Sequence, residues 1–252
     1  MKKYLIILML LSGCAVAPDA VKIQPPVQTS PIPKTYYVPA PKQGKIIVAV
    51  YGYNDLTGQR EPTDGAASLS TAVTQGAENY LINSLKEFSD GKWFRVVERK
   101  GIDDVIKERQ IIRSERENVD PTATDILPSM VYAGIIIEGG IVAYDSNVIS
   151  GGTGARAFGI GASSKYSSHK VTIALRAVSV ATSEVLSSVI VEKEVLIYSQ
   201  DATVFKFFDT DTQTLELESG VNVNEAPSIA VKSAIEMGVY KLVLDGKEKH
   251  IW

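Results

Sequence analysis

The chain has 252 residues, 45% of them apolar, and 26 basic against 29 acidic side chains leave a formal charge of −3. That size and apolar content support a real core in one domain or two small ones. The acidic balance argues against a nucleic-acid partner, which wants a basic face, and the single cysteine excludes an internal disulfide or a multi-cysteine metal site.

Lys2 and Lys3 precede the apolar run Tyr4–Leu11, and small residues follow. This is the architecture of a secretory signal, too short to span a membrane as a mature helix. Leu11-Ser12-Gly13-Cys14 matches the bacterial lipobox. Residues 1–13 are therefore expected to be cleaved and Cys14 lipidated, with each buried CH₂ adding about 0.8 kcal/mol of anchoring. Ala15 stands after the cysteine in place of aspartate, which favours transport onward to the outer membrane. Loss of Lys2 and Lys3 takes the formal charge from −3 to −5. Residues 14–43 hold seven of the eleven prolines and show no helical or strand period. They read as a semi-extended tether between lipid and a folded domain spanning 44–252.

Within that domain Lys45–Tyr53 is a β-branched run and predicts a buried strand. Ser70 or Thr71 is the expected cap of a helix through about Phe88, with Val73, Ala77, Tyr80, Leu81 and Leu85 as its apolar stripe. Trp93–Glu98 predicts a strand. Gly101–Glu115 predicts a helix that buries Ile102, Val105, Ile106 and Ile112. Its basic residues Lys107, Arg109, Arg113 and Arg116 alternate with glutamates, as on a salt-bridged surface or a subunit contact. Ala133–Tyr144 is a long strand. Val171–Val180 alternates cleanly and Val185–Ile197 returns beside it. A last helix runs from about Pro227 to Leu244, with proline suited to a first turn. The order strand, helix, strand, helix, strands, helix gives an α/β sandwich.

Two stretches do not fit that sandwich. Residues 147–170 are rich in glycine and nearly uncharged, and residues 198–223 have no helical period. Each is long enough for two membrane-crossing strands of roughly 9–11 residues and a tip. Phe158 and Ile160 share one face of the first, and Val204 and Phe207 interleave with polar residues in the second. Transmembrane hairpins are thus expected at about 148–168 and 198–223. On pattern alone, a pair of mobile glycine- and serine-rich loops is the better fit, although loops of this length are uncommon in compact domains.

Gly152-Thr153-Gly154-Ala155-Arg156-Ala157 matches the alanine-ended dinucleotide fingerprint. That motif needs a helix to open within it, and the following Phe-Gly-Ile-Gly is hostile to helix. His169 and His250 have no neighbouring ligand or nucleophile pattern. No catalytic residue, metal or cofactor is expected, and the chain reads as a non-enzyme.

The pieces LLSGC, GKIIVAVY, STAV, ERQIIR, EGGIVAYDSNVISGGTGARAFGIGA, VFKFF, NEAP and SAIEMGVYKLV run the length of the chain. In these words it closely resembles the CsgG family of curli secretion channels. The resemblance implies an outer-membrane lipoprotein forming a nonameric ring. Each subunit would add two transmembrane β-hairpins to one shared 36-stranded β-barrel, with Phe158, Ile160, Val204, Phe205 and Phe207 in its wall. It implies passive, ATP-independent export of unfolded curli-type amyloid subunits, and periplasmic and extracellular accessory proteins as partners. It also places a pore constriction in the loop after the first strand, 54–69. There the family has a tyrosine and an Asn-Phe pair where this chain has Thr63, Asp64, Ser68 and Leu69. A wider or more acidic gate with Leu69 as its apolar collar is expected. Two other readings compete: a monomeric lipoprotein that binds a periplasmic partner such as a cell-wall synthase, and a holdfast-anchoring relative of the channel.

Overall fold

A computed structural model describes residues 36–60, 70–119, 127–150, 165–199, 205–208, 215–218 and 226–252. Strand β1 (Ile46–Asp55), helix α1 (Ala77–Gly91), strand β2 (Phe94–Val97) and helix α2 (Ile102–Val119) come first. Long strands β3 (Ile135–Ser150), β4 (Lys165–Ser179) and β5 (Val185–Ser199) follow. Short strands β6 (Phe205–Phe208) and β7 (Leu215–Glu218) then precede helix α3 (Ala226–Glu248). The main sheet has the order β2-β1-β3-β4-β5, and β6 pairs only with β7. Strand β1 is parallel to both neighbours, whereas β3, β4 and β5 form an antiparallel meander.

Alternation decides which face is buried. Val48, Val50 and Tyr53 of β1, Ile137, Ile141 and Tyr144 of β3, and Val171, Ile173, Leu175 and Ala177 of β4 form one inward face. Helix α1 covers β1 and β2 there, and α3 covers β4 and β5. Ala77, Leu81 and Leu85 of α1 meet Ala230, Ala234, Ile235, Val239 and Leu242 of α3 in a single core. At its base Trp252 packs edge to face on Trp93 and Phe94, which are tilted against each other, with ring centroids 5.9–6.5 Å apart. Trp252 Nε1 also donates to the Val243 carbonyl at 3.0 Å. At the same end of the sheet, near the start of β5, Ser187 donates to the Asp245 carboxylate and so ties α3 to the sheet. The Lys249 ammonium beside Asp245, with help from Ser187, holds that carboxyl below its ordinary range.

Three features depart from the sequence reading. Helix α1 starts at Ala77 behind Gly76, not at Ser70 or Thr71. Those residues are engaged elsewhere, Thr71 in an antiparallel bridge with Arg60, and Val73 is buried ahead of the helix instead of on it. Helix α2 forms, but none of its residues is buried, so Ile102, Val105, Ile106 and Ile112 do not reach the core. The packed body also takes in residues ahead of position 44. Val38 is 3% exposed, its carbonyl accepts from Trp93 Nε1 at 2.8 Å, and its N–H donates to Ser89 Oγ at 2.9 Å. Ser89 reaches that position because α1 ends in three left-handed residues, with φ of 50°, 59° and 68° at Ser89, Asp90 and Gly91.

Gly139 and Gly140 sit where β3 is squeezed between β1 and β4. A Cβ on Gly139 would run into the Ala174 carbonyl, and one on Gly140 would lie 2.6 Å from the Asn54 carbonyl. Both obstacles are backbone and cannot rotate away. At Gly238 the atoms in the way are the ends of Leu175 and Ile173 side chains. Gly139→Ala should therefore cost at least about 3 kcal/mol and Gly238→Ala nearer 1 kcal/mol, the range of overpacked cores. Denaturant midpoints of the two variants check the difference; equal shifts would mean that β3 can move aside.

Candidate functional site

The loop that follows β1 is held shut at its neck. Asp55 Oδ1 accepts from the Thr57 amide at 2.9 Å and from Thr57 Oγ1 at 2.6 Å. Its Oδ2 accepts from Gln75 Nε2 at 3.1 Å, across the neck. The two stems then pair through the Arg60–Thr71 bridge and the Ala72 amide, which donates to the Gln59 carbonyl at 3.0 Å. One further bond fixes the neck on the sheet: the Leu56 amide donates to the Ile141 carbonyl at 2.9 Å. Thr63, Asp64, Ser68 and Leu69 lie outside the described residues, as does Cys14.

The same point of β3 is where the strand parts from β1. The β1 ladder ends at the Asp55–Ile141 pair, and β3 shifts register against β4 between Ile141 and Ala143. Beyond it β3 continues unbroken to Ser150, paired residue by residue with β4 down to Ser150–Lys165. Strand β5 keeps step, with Lys165 opposite Ser199. Domain strand and hairpin stem are thus one continuous strand, and the stems of both candidate hairpins leave the same end of the sheet. In the second candidate, Phe205–Phe208 pair antiparallel with Leu215–Glu218, the backbone of a hairpin. Phe158, Ile160 and Val204 lie outside the described residues; Phe205 and Phe207 stand on β6.

Polar groups at the root of the stems are buried. Tyr144 Oη and His169 Nδ1 share a 2.7 Å hydrogen bond, and the two rings stack. His169 Nε2 and Tyr53 Oη are buried with no hydrogen-bond partner among the described residues. Burial pushes the Tyr53 phenol far above its ordinary range, which keeps it neutral. A surface cleft of about 340 Å³ lies at the opposite end of the sheet. Ile46, Ile47, Tyr132, Ile135 and Trp252 line it, with no carboxylate or imidazole. Among the described residues no three His, Cys, Asp or Glu side chains are grouped to hold a metal, and no helix is long and apolar enough to cross a membrane.

The neck gives a direct expectation. Asp55→Ala removes three hydrogen bonds that close the loop and should lower local stability there by about 1–2 kcal/mol. Limited proteolysis within 56–75 should then run roughly ten times faster, with the global unfolding midpoint nearly unchanged. Unchanged cleavage would mean that the bridge and the Ala72 bond close the neck unaided.

Comparison with known proteins supplies the family. The model for "Curli production assembly/transport component CsgG" matches residues 35–252. The curated protein of that description from Escherichia coli strain K12 is 42% identical over 254 aligned residues, covering 98% of this chain and 89% of its own length. The Salmonella typhimurium LT2 protein is 41% identical over the same coverage. Among solved structures, the PelC dodecamer from Paraburkholderia phytofirmans gives a TM-score of 0.33 at 13% identity, covering 81% of this chain and 92% of that one. That likeness is too distant to bear on fold or function. The match across residues 35–252 and the 42% identity agree: the chain belongs to the CsgG family of curli production assembly/transport components.

Proposed function

We propose that this protein is one subunit of a ring-shaped outer-membrane channel that exports unfolded, curli-type amyloid subunits from the periplasm. The observation that carries this reading is the 42% identity across 98% of the chain to proteins described as curli assembly and transport components. Lipid on Cys14 anchors the subunit, and the Pro-rich residues ahead of the packed segment at Val38 tether it. The hairpins at about 148–168 and 198–223 enter a barrel shared among subunits, nine in the family's arrangement.

The geometry of β3 supports the barrel physically. Above Ile141 its edge away from β4 has no partner among the described strands. Val142 to Ser150 carries that edge from the sheet into the start of the hairpin at about 148–168. A strand edge that enters lipid must be closed by another strand, which a barrel of several copies does.

Translocation in this reading is passive. The loop 61–69, pinched at its neck, narrows the conduit with Thr63, Asp64, Ser68 and Leu69, and accessory proteins on the periplasmic and extracellular sides bias the direction. No step requires an enzyme, cofactor or metal.

Electron microscopy of the full-length lipoprotein in detergent tests the reading, with rings enclosing a lumen as the expected result. Isolated small particles would sink the channel and favour a monomeric binding module. In planar bilayers Leu69→Ala should raise single-channel conductance; a value identical to the parent's would remove Leu69 from the collar.

A further inference from the structure

Helix α2 is an anomaly in this fold. It is 18 residues long, none of them buried, and it packs broadly against no other described strand or helix. Polar ties fix the helix and the segment beside it. Glu98 Oε1 accepts from the Gly101 amide at its start, Arg109 donates to the Pro128 carbonyl, and Arg99 donates to the Val131 carbonyl, each at 2.8 Å. The two arginines lay the segment 127–134 alongside the helix. Val105 and Ile106 of α2 are exposed, as are Met130 and Tyr132 of that segment, Tyr132 by 82%. Helices in proteins draw most of their stability from packing of an apolar face, so these bare side chains gain by being covered.

The opposite edge of the sheet carries a second uncovered surface. On β5 the odd-numbered residues Ser187, Val191 and Val195 are buried, on the face that α3 covers. The even-numbered residues point the other way, where no helix lies. Ile190 is 68% exposed there, beside Glu192, which pairs with Lys170 at 2.8 Å. The order β2-β1-β3-β4-β5 places β2, from whose end α2 starts, at one edge and β5 at the other. Copies arranged head to tail bring those two edges together, and a rotation that closes makes a ring. A bare sheet face and a bare helix are the two halves of one α/β layer. Lys107 of α2 is exposed and opposite in sign to Glu192 and Glu194 of β5, which face Lys170 and Ser168 within the copy.

We propose that α2 and the adjoining segment 127–134 of one copy pack on the outward face of β5 of the next copy. The helix supplies in trans the layer that each sheet lacks alone. This rests on the ring-channel reading and names its periplasmic subunit contact.

Site-directed crosslinking of the full-length lipoprotein in detergent tests it. The double variant Val105→Cys/Ile190→Cys, treated with a bis-maleimide, should give a ladder of covalent multimers on denaturing gels. Each single variant should stay at the monomer position. Rings by electron microscopy with no ladder, from this pair and from Tyr132→Cys/Ile190→Cys alike, would overturn the contact while leaving the channel intact. Dimers from a single variant would overturn it too, because a head-to-tail contact never brings identical positions together. Absence of rings in the parent would remove both the channel and the contact. Ile106→Glu provides a second readout, with a loss of at least ten-fold in ring particles expected and an undiminished ring count counting against the contact.

Discussion

Everything in this protein depends on the way β3 is wedged between two strands that run in different senses. Parallel β1 lies on one side and antiparallel β4 on the other, and the approach is so close that Gly139 and Gly140 leave no room for a side chain. The glycine pair weakens the strand intrinsically, yet it lets two ladders meet on one backbone. Just past it the β1 ladder stops, the loop neck is hung from Ile141, and β3 runs on to Ser150. A single strand thereby links the core, the loop and the first hairpin stem.

The core is one-sided. Helices α1 and α3 seal one face of the sheet, and an aromatic cluster of Phe88, Trp93, Phe94 and Trp252 closes the base. The other face carries ion pairs instead, Arg176 with Glu138 and Lys170 with Glu192, both at 2.8 Å. Exposed pairs of this kind contribute little to stability. Their value lies in keeping a broad sheet face soluble while leaving it flat enough to meet another molecule. Burial on one face and restraint on the other suit a subunit more than a self-sufficient globule.

Much of the fold was legible residue by residue. The run Ile46–Tyr53 and the alternation in Val171–Ala177 each announced a strand, because a β-branched run and a strict period of two have few other solutions. Helix α3 was visible from Pro227 and the apolar positions after it, although it extends to Glu248. The apolar spacing of α2 was equally clear and still misleading. Periodicity marks a face that can be buried, but whether something lies opposite is a property of the assembled domain. The start of α1 failed for a related reason: Ser70 and Thr71 have the chemistry of caps, but the loop neck claims Thr71 and the helix opens only at Ala77.

By itself, then, the sequence determined the α/β sandwich, the family and two stretches foreign to that sandwich, since composition and period are local quantities. That both candidate hairpins grow from one edge of the sheet was also legible, flanking Val171–Ile197 as they do, and the tertiary structure has both stems at one end. It alone showed that β3 crosses from core to stem without a break, that Asp55 and Gln75 close the loop neck, and that α2 is left bare. Each of these turns on which backbone lies beside which at long sequence separation. A one-dimensional pattern does not carry that information, because loop closure and ladder register are settled by competition among all the elements at once.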